Sequence, residues 1–226
     1  MVKLILMRHG QSQWNLLNLF TGWVDIPLST LGIQESLEGG RLIQDEPIDI
    51  IYTSTLIRAQ MTAMLALTLH KSGKVPVILH SKKEGHMEDW SHIYSTATVE
   101  QTIPVVTAWE LNERMYGELQ GVNKKELADH YGKDQVQLWR RSYDSAPPEG
   151  ESLKMTAART LPYFQNEIIP SLQRGQNVFI AAHGNSLRSI IMKLDNLSPQ
   201  EVVKLEIATG APIIYHFENE KFNKQK

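Results

Sequence analysis

Two histidines hold the positions where chemistry is easiest to place. His9 and His183 each follow a short apolar run, Leu4 to Met7 and Val178 to Ala182, and each is followed by glycine. Arg8 precedes the first and Arg188 follows the second. A guanidinium grips phosphate oxygens through paired donors and keeps its charge at any physiological pH. A neutral imidazole with one ring nitrogen's proton held by a neighbour offers the other nitrogen as a nucleophile. Arginine and histidine together at a strand end therefore suit phosphoryl chemistry. Glycine at the next position would let a ligand approach the backbone closely. Arg8-His9-Gly10 by itself does not separate this from a buried, hydrogen-bonded structural histidine.

The elements around these residues suggest how they are positioned. Continuous apolar runs at Leu4 to Met7, Asp49 to Thr53, Asn177 to Ala182 and Ile213 to Phe217 suit strands buried on both faces. Helical patterns lie between them. Ser29 caps a stretch from Thr30 to about Gln44, and Ser54 or Thr55 opens one to about Leu69 with Leu56, Ala59, Ala63 and Ala66 on one face. Glu151 to Leu172 reads as a helix that Pro162 must kink or divide, and Leu187 to Leu194 as another. Strands alternating with helices predict an α/β fold with a mostly parallel sheet, whose ligands bind beyond the carboxyl ends of the strands. Both histidines are expected at such ends. Residues 74–107 lack a clean period and read as an insertion carrying one short strand near Val77. The basic tail, Lys221 to Lys226, is expected to fray.

Composition narrows the classes. The chain has 226 residues, 42% of them hydrophobic, which suits one folded domain over 1–226 with the insertion at about 74–107. A net charge of −2 argues against a dedicated nucleic-acid binder. The absence of cysteine excludes a disulfide scaffold, a thiol nucleophile and thiolate metal sites. No apolar run reaches the ~18–20 residues of a membrane span, so no membrane partner and a cytoplasmic location are expected. His80, His86 and His92 recur at intervals of six, which match no common ligand pattern, and read as structural or solvated.

Further blocks extend the pattern. Arg8 to Asn15 continues to Phe20-Thr21-Gly22-Trp23-Val24-Asp25, Leu28 to Gly32 and Tyr52 to Ala59. Glu110-Leu111-Asn112-Glu113-Arg114-Met115-Tyr116-Gly117, Leu119 to Lys124, Trp139-Arg140-Arg141 and Pro148 to Ser152 follow. His183 to Arg188 and Thr209 to Pro212 complete the set. In order and together, these blocks resemble the cofactor-dependent phosphoglycerate mutases of the histidine phosphatase superfamily, from about Lys3 to Phe217. The resemblance implies a three-layer α/β/α sandwich around the mostly parallel sheet. It implies interconversion of 2-phosphoglycerate and 3-phosphoglycerate, in glycolysis and gluconeogenesis, through a phosphohistidine. The implied cofactor is 2,3-bisphosphoglycerate, which primes the nucleophile, and no metal is expected.

Roles follow position by position from that resemblance. His9 would take the phosphoryl group, with Arg8, Arg58 and His183 stabilising its charge. Glu113 would move the proton of the substrate hydroxyl, with a pKa expected to be raised by nearby phosphate charge. Asn15 and Asn185 would add neutral donors. Thr21, Gly22, Tyr116, Lys124, Arg140 and Arg141 would hold the substrate's carboxylate or second phosphate. Partners would be small phosphorylated three-carbon acids, and a homodimer stays open. Plainer readings stand beside these. Arg58 could be a solvated helical arginine, Glu113 could pair with Arg114, Arg140-Arg141 could be an exposed helical face, and Trp14 and Trp23 read as packing residues.

Three departures from the family pattern bear on function. The insertion is expected to form a lid or an oligomer contact. Glu110 stands where relatives commonly carry arginine. The chain ends soon after Phe217, where many relatives carry a longer tail that covers the site. The rivals are a histidine-type phosphomonoesterase, in which water takes the phosphoryl group, and a non-catalytic phospho-ligand binding protein.

Overall fold

The computed structural model describes residues 1–80 and 85–225. Among these, one sheet contains β1 (Val2–Arg8), β2 (Ile50–Thr53), β3 (Val75–Ile78), β4 (Thr102–Thr107), β5 (Val178–Ala182), β6 (Pro212–Glu218) and β7 (Lys221–Lys224). Their order across the sheet is β3-β4-β2-β5-β1-β6-β7. The five strands from β3 to β1 are parallel, and β6 and β7 add antiparallel at one edge.

Alternation along β1 explains the layers. Leu4 and Leu6 face one core with Val178 and Ile180 of β5, while Ile5 and Met7 face the other with Phe179 and Ala181. The second core is closed by Ile43 at the end of α1 (Thr30–Ile43) and by Ala63, Ala66 and Leu67 of α2 (Ile57–Leu67). The further helices of eight residues or more among the described residues are α3 (Lys124–Tyr131), α4 (Lys133–Arg141), α5 (Leu153–Tyr163) and α6 (Gly184–Leu194). Leu187, Ile190 and Ile191 of α6 close the first core, together with Phe164, Ile168 and Leu172 from the turns after α5. The result is a three-layer α/β/α sandwich, as the strand–helix alternation and the family resemblance imply. A satellite cluster of Phe20, Leu119, Leu127, Val136 and Trp139 anchors α3 and α4 beside it.

Several boundaries differ from the sequence reading. The insertion supplies two strands rather than one, because β4 as well as β3 pairs into the sheet. Residues 81–84 of that insertion lie outside the described residues. The basic tail is not frayed: β7 pairs with β6, and Phe222 packs 4.8 Å from Phe217. Lys226 lies outside the described residues. α2 begins at Ile57 rather than at Ser54 or Thr55. The Ser54 hydroxyl is drawn to His183, and Asp25 caps the helix from a distance by accepting from the Ile57 N–H at 2.6 Å. Pro162 neither stops nor splits its helix at once. It sits inside α5, and a π-helical turn, Phe164–Ile168, follows it before a short helix at Ile169–Gln173.

Candidate active site

Adjacent parallel strands bring the two histidines together. Arg8 of β1 stands opposite Ala182 of β5, so the residues that follow them leave the sheet side by side. The His9 N–H bonds the Ala182 carbonyl at 2.9 Å, and the His9 and His183 rings lie 4.9 Å apart, centroid to centroid. Gly10 serves a different end from the one expected of it. A Cβ there would meet the Gly32 carbonyl at 2.2 Å, so the missing side chain lets α1 close against the loop.

The hydrogen bond to His9 fixes its tautomer. Nδ1 lies 2.6 Å from the Gly10 carbonyl, which can only accept, so Nδ1 carries the proton and the Nε2 lone pair is free. Burial, together with the charges of Arg58 and Arg8, holds this imidazole well below the ordinary histidine range. His183 is pulled down in the same way, by burial first and then by Arg58. Both rings are therefore neutral at pH 7. The His183 Nε2 lies 2.7 Å from the Ser54 hydroxyl, and its Nδ1 is buried with no protein partner.

Arg58 is not a solvated helical arginine. It is 1% exposed and donates to the carbonyls of Gly22 at 2.7 Å and Val24 at 3.0 Å. Burial brings its guanidinium down to about 10, against the pull of Glu113 and Asp25, so it stays charged at neutral pH. Gly22 adopts φ +55°, and a Cβ there would meet Gln120 Oε1 at 2.1 Å. The positive φ favours glycine in this turn, which aims its carbonyl at Arg58. Arg8 donates to the Ile207 carbonyl at 2.9 Å, and its buried Nε has no protein partner.

Glu113 enters from a loop between two short 3₁₀ turns. Its Oε1 accepts from the Arg114 N–H at 2.7 Å, the Asn185 N–H at 3.2 Å and the Asn185 side-chain amide at 2.8 Å. Its partners are thus the backbone of Arg114 and the N-terminus of α6, not the Arg114 guanidinium. Burial is the largest single influence and favours the neutral acid. The donors from Arg114 and Asn185, with the charges of Arg8 and Arg58, outweigh it and hold the carboxyl below the ordinary glutamate value. The raised pKa expected from the sequence is therefore not a property of the protein groups alone.

A residue the sequence reading passed over organises this loop. Arg159 of α5 donates to the carbonyls of Glu110 at 2.8 Å, Asn112 at 3.1 Å and Glu113 at 2.9 Å. Both oxygens of Glu151 accept from it at 2.8 Å, and its guanidinium lies 5.4 Å from the Trp23 ring. Trp23 does more than pack, since its indole N–H also donates to the Glu113 carbonyl. No single motif signals Arg159, because its partners come from three separate blocks.

These groups line one cavity of about 150 Å³. Every residue given a catalytic or substrate-binding role from the family resemblance lines it except His183, which lies fully buried against His9. Arg140 and Arg141, at the end of α4, both line this cavity, Arg141 half-buried and Arg140 still exposed to solvent. Lys124, at the start of α3, sits 5.5 Å from the Phe20 ring, and burial followed by the charges of Arg140 and Arg8 brings it down to about 8. Tyr116 accepts from the buried Arg114 at 3.0 Å. Arg188 and Glu206 also line the cavity and had no role assigned from sequence. Six cations thus face two carboxylates in a chain whose net charge is −2. Arg8 Nε, Thr21 Oγ1 and His183 Nδ1 are buried polar atoms without protein partners in this one region. Such a set fits an anionic ligand with oxygens at two ends.

His9, Glu113 and His183 present atoms within 4.8 Å of one another, a spacing that could hold a metal ion. Arg8 and Arg58 stand against that use, since both already lower the histidines by their charge. His86 instead stacks on Trp90, and His92 meets Tyr94 edge-on. None of the described residues of 74–107 lines the cavity.

The chain as a whole is similar to known proteins. A family model described as the histidine phosphatase superfamily (branch 1) matches residues 4–101 and 93–226. The chain is 67% identical, over 100% of both chains, to a Protochlamydia amoebophila protein named 2,3-bisphosphoglycerate-dependent phosphoglycerate mutase. It is 58% identical to the Chlamydia muridarum protein of the same name, over 99% of this chain and 97% of that one. Among solved structures, a mycobacterial glucosyl-3-phosphoglycerate phosphatase superposes with a TM-score of 0.74 at 20% identity, over 100% of this chain and 97% of that one. At that identity the likeness is one of fold.

Proposed function

The chain belongs to the histidine phosphatase superfamily and, within it, to the 2,3-bisphosphoglycerate-dependent phosphoglycerate mutases, and from that premise we propose how its residues divide the work. The reaction is the interconversion of 2-phosphoglycerate and 3-phosphoglycerate, which serves glycolysis and gluconeogenesis. The observation that carries the assignment of residues is the set of unpartnered buried polar atoms around the neutral His9–His183 pair.

His9 Nε2 is the nucleophile. It bonds to phosphorus as the ester P–O bond breaks, and the same step runs in reverse to a different hydroxyl. Arg8, Arg58 and His183 Nδ1 receive the equatorial oxygens, where charge is greatest. Glu113 gives a proton to the leaving hydroxyl and takes it back from the attacking one. Its pKa rises when a phosphate dianion lies beside it, which suits both directions. The charge that phosphoryl transfer needs comes from arginines, so no metal is required.

Bound 2,3-bisphosphoglycerate supplies the phosphoryl group that loads His9. The residues fit such a ligand, since cations stand at both ends of the cavity. Thr21, Gly22, Tyr116, Lys124, Arg140 and Arg141 hold the end away from His9, and Asn15 and Asn185 add neutral donors between. A weaker grip at the far end lets the three-carbon acid turn and present either hydroxyl. Among the described residues no helix is long and apolar enough to cross a membrane. We place the enzyme in the cytoplasm, with small phosphorylated acids rather than nucleic acid or membrane as partners.

The test is a paired assay of the protein and His9→Ala, following isomerisation with and without 2,3-bisphosphoglycerate and free phosphate in the same tubes. Isomerisation should depend on the bisphosphate, exceed phosphate release and fall by roughly 10⁴-fold or more in the variant. Phosphate release without isomerisation would support the phosphomonoesterase instead.

A further inference from the structure

The far end of the cavity contains a carboxylate for which the reaction derived above has no use. Glu206 lies in an irregular segment after the short helix Pro199–Val202. One of its oxygens is 2.8 Å from Arg141 Nη2, and the other is 3.9 Å from Arg188 Nη2. The arginines of the cavity also hold the backbone on both sides of it. Arg141 donates to the Val203 carbonyl at 3.4 Å, Arg188 to Leu205 at 2.9 Å and Arg8 to Ile207 at 2.9 Å. Alternate carbonyls of the segment are thus taken by successive arginines, which pins Glu206 beside the cluster. Its side chain nevertheless remains 70% exposed.

Two features of this pair point the same way. Arg141 spends one terminal nitrogen on the Val203 carbonyl and the other on Glu206. An anion that seeks paired donors on Arg141 therefore competes with Glu206 for that face of the guanidinium. The pair is also cheap to break, because an ion pair open to water contributes little. A structural clamp on Arg141 would be expected to exclude solvent from its carboxylate, and this one does not.

We propose that Glu206 is a specificity-determining carboxylate that occupies the place of the ligand's far anion on Arg141 and Arg188 and is displaced when ligand binds. This inference rests on the assignment of Arg141 to the far end of the substrate. Once displaced, the carboxylate stays tethered nearby and repels the anion that replaced it. The repulsion grows with ligand charge, so 2,3-bisphosphoglycerate is held less tightly relative to the monophosphoglycerates than the arginines alone would hold it. The device limits residence of the most charged species and leaves its far end free to exchange.

The test measures dissociation constants by titration calorimetry, with His9→Ala as the background so that no phosphoryl transfer intervenes. Glu206→Gln keeps the shape of the side chain and removes its charge. It should tighten 2,3-bisphosphoglycerate about two- to fivefold and 3-phosphoglycerate by less. Glycerol 3-phosphate, which has no second anion, should bind as before. An unchanged or weaker bisphosphate affinity would overturn the inference, as would equal tightening of glycerol 3-phosphate. Arg141→Gln separates the two levels. If it weakens bisphosphate binding while Glu206→Gln has no effect, the displacement idea alone fails. If it leaves every affinity unchanged, the far-end assignment fails and takes the inference with it.

Discussion

The two ends of the cavity are built on opposite principles. At the His9 end, the side chains are buried or half-buried, and their hydrogen bonds run mostly to backbone of the loops and helix start that leave the sheet. His9 is held by Gly10, Arg58 by Gly22 and Val24, and Glu113 by the start of α6. At the Arg141 end, cations project from α3 and α4, an exposed glutamate neutralises part of their charge, and Lys124 is poised to titrate. One end has a preset geometry, as a transition state requires, while the other has adjustable charge, as a ligand that must turn over requires.

Substitutions can separate the two. The largest effect is expected at the preset end. Glu113→Gln should lower kcat by about 10²–10⁴ with little change in KM, because it removes the proton carrier and keeps the shape. A KM effect without a kcat effect would make Glu113 a binding residue and erase the contrast. Arg159→Lys comes next. It keeps the charge but loses the planar fork that holds three carbonyls of the Glu113 loop, so kcat should fall about tenfold while KM moves less. A variant that is merely less stable, with kcat intact on the folded fraction, would reduce Arg159 to a structural role.

The adjustable end should respond to pH instead. Lys124 is protonated below about 8 and loses its charge above it. The KM for 3-phosphoglycerate should therefore rise roughly threefold as pH passes through that value. Lys124→Arg, which stays charged, should flatten the rise, and a wild-type profile flat to pH 9 would contradict the assignment. The smallest effect concerns stability. His9 and His183 are held neutral in the fold, whereas in the unfolded chain they take up protons near pH 6.5. The unfolded state thus binds more protons below that pH, and stability falls as pH drops from about 7 to 5. Denaturant midpoints across this window should show the slope, reduced in His9→Gln.

Much of the preset end was legible because its residues sit in short contiguous blocks at strand ends, where an apolar run stops at a charged or titratable residue. Arg8-His9 and His183 are visible this way, and the family resemblance supplied Arg58 and Glu113. Arg159 and Glu206 were not legible. Each acts through partners far away in the chain, and a lone arginine on a helix or a lone glutamate in a loop resembles a solvated surface residue. The downward pull on the Glu113 carboxyl before any phosphate arrives was hidden for the same reason. Its value depends on donors from Arg114 and Asn185 that no local pattern announces.

By itself, the sequence determined the α/β class, the helices and strands with strong periodicity, and the identity of the groups proposed to meet phosphate. Those follow from local pattern and from residue chemistry. Tertiary structure alone decided that β1 and β5 lie side by side, that two strands of the insertion extend the sheet, that the histidines are neutral and that Glu206 sits on Arg141. Strand order, burial and charge neighbourhood are properties of contacts between distant segments, and they exist only once the chain has closed on itself.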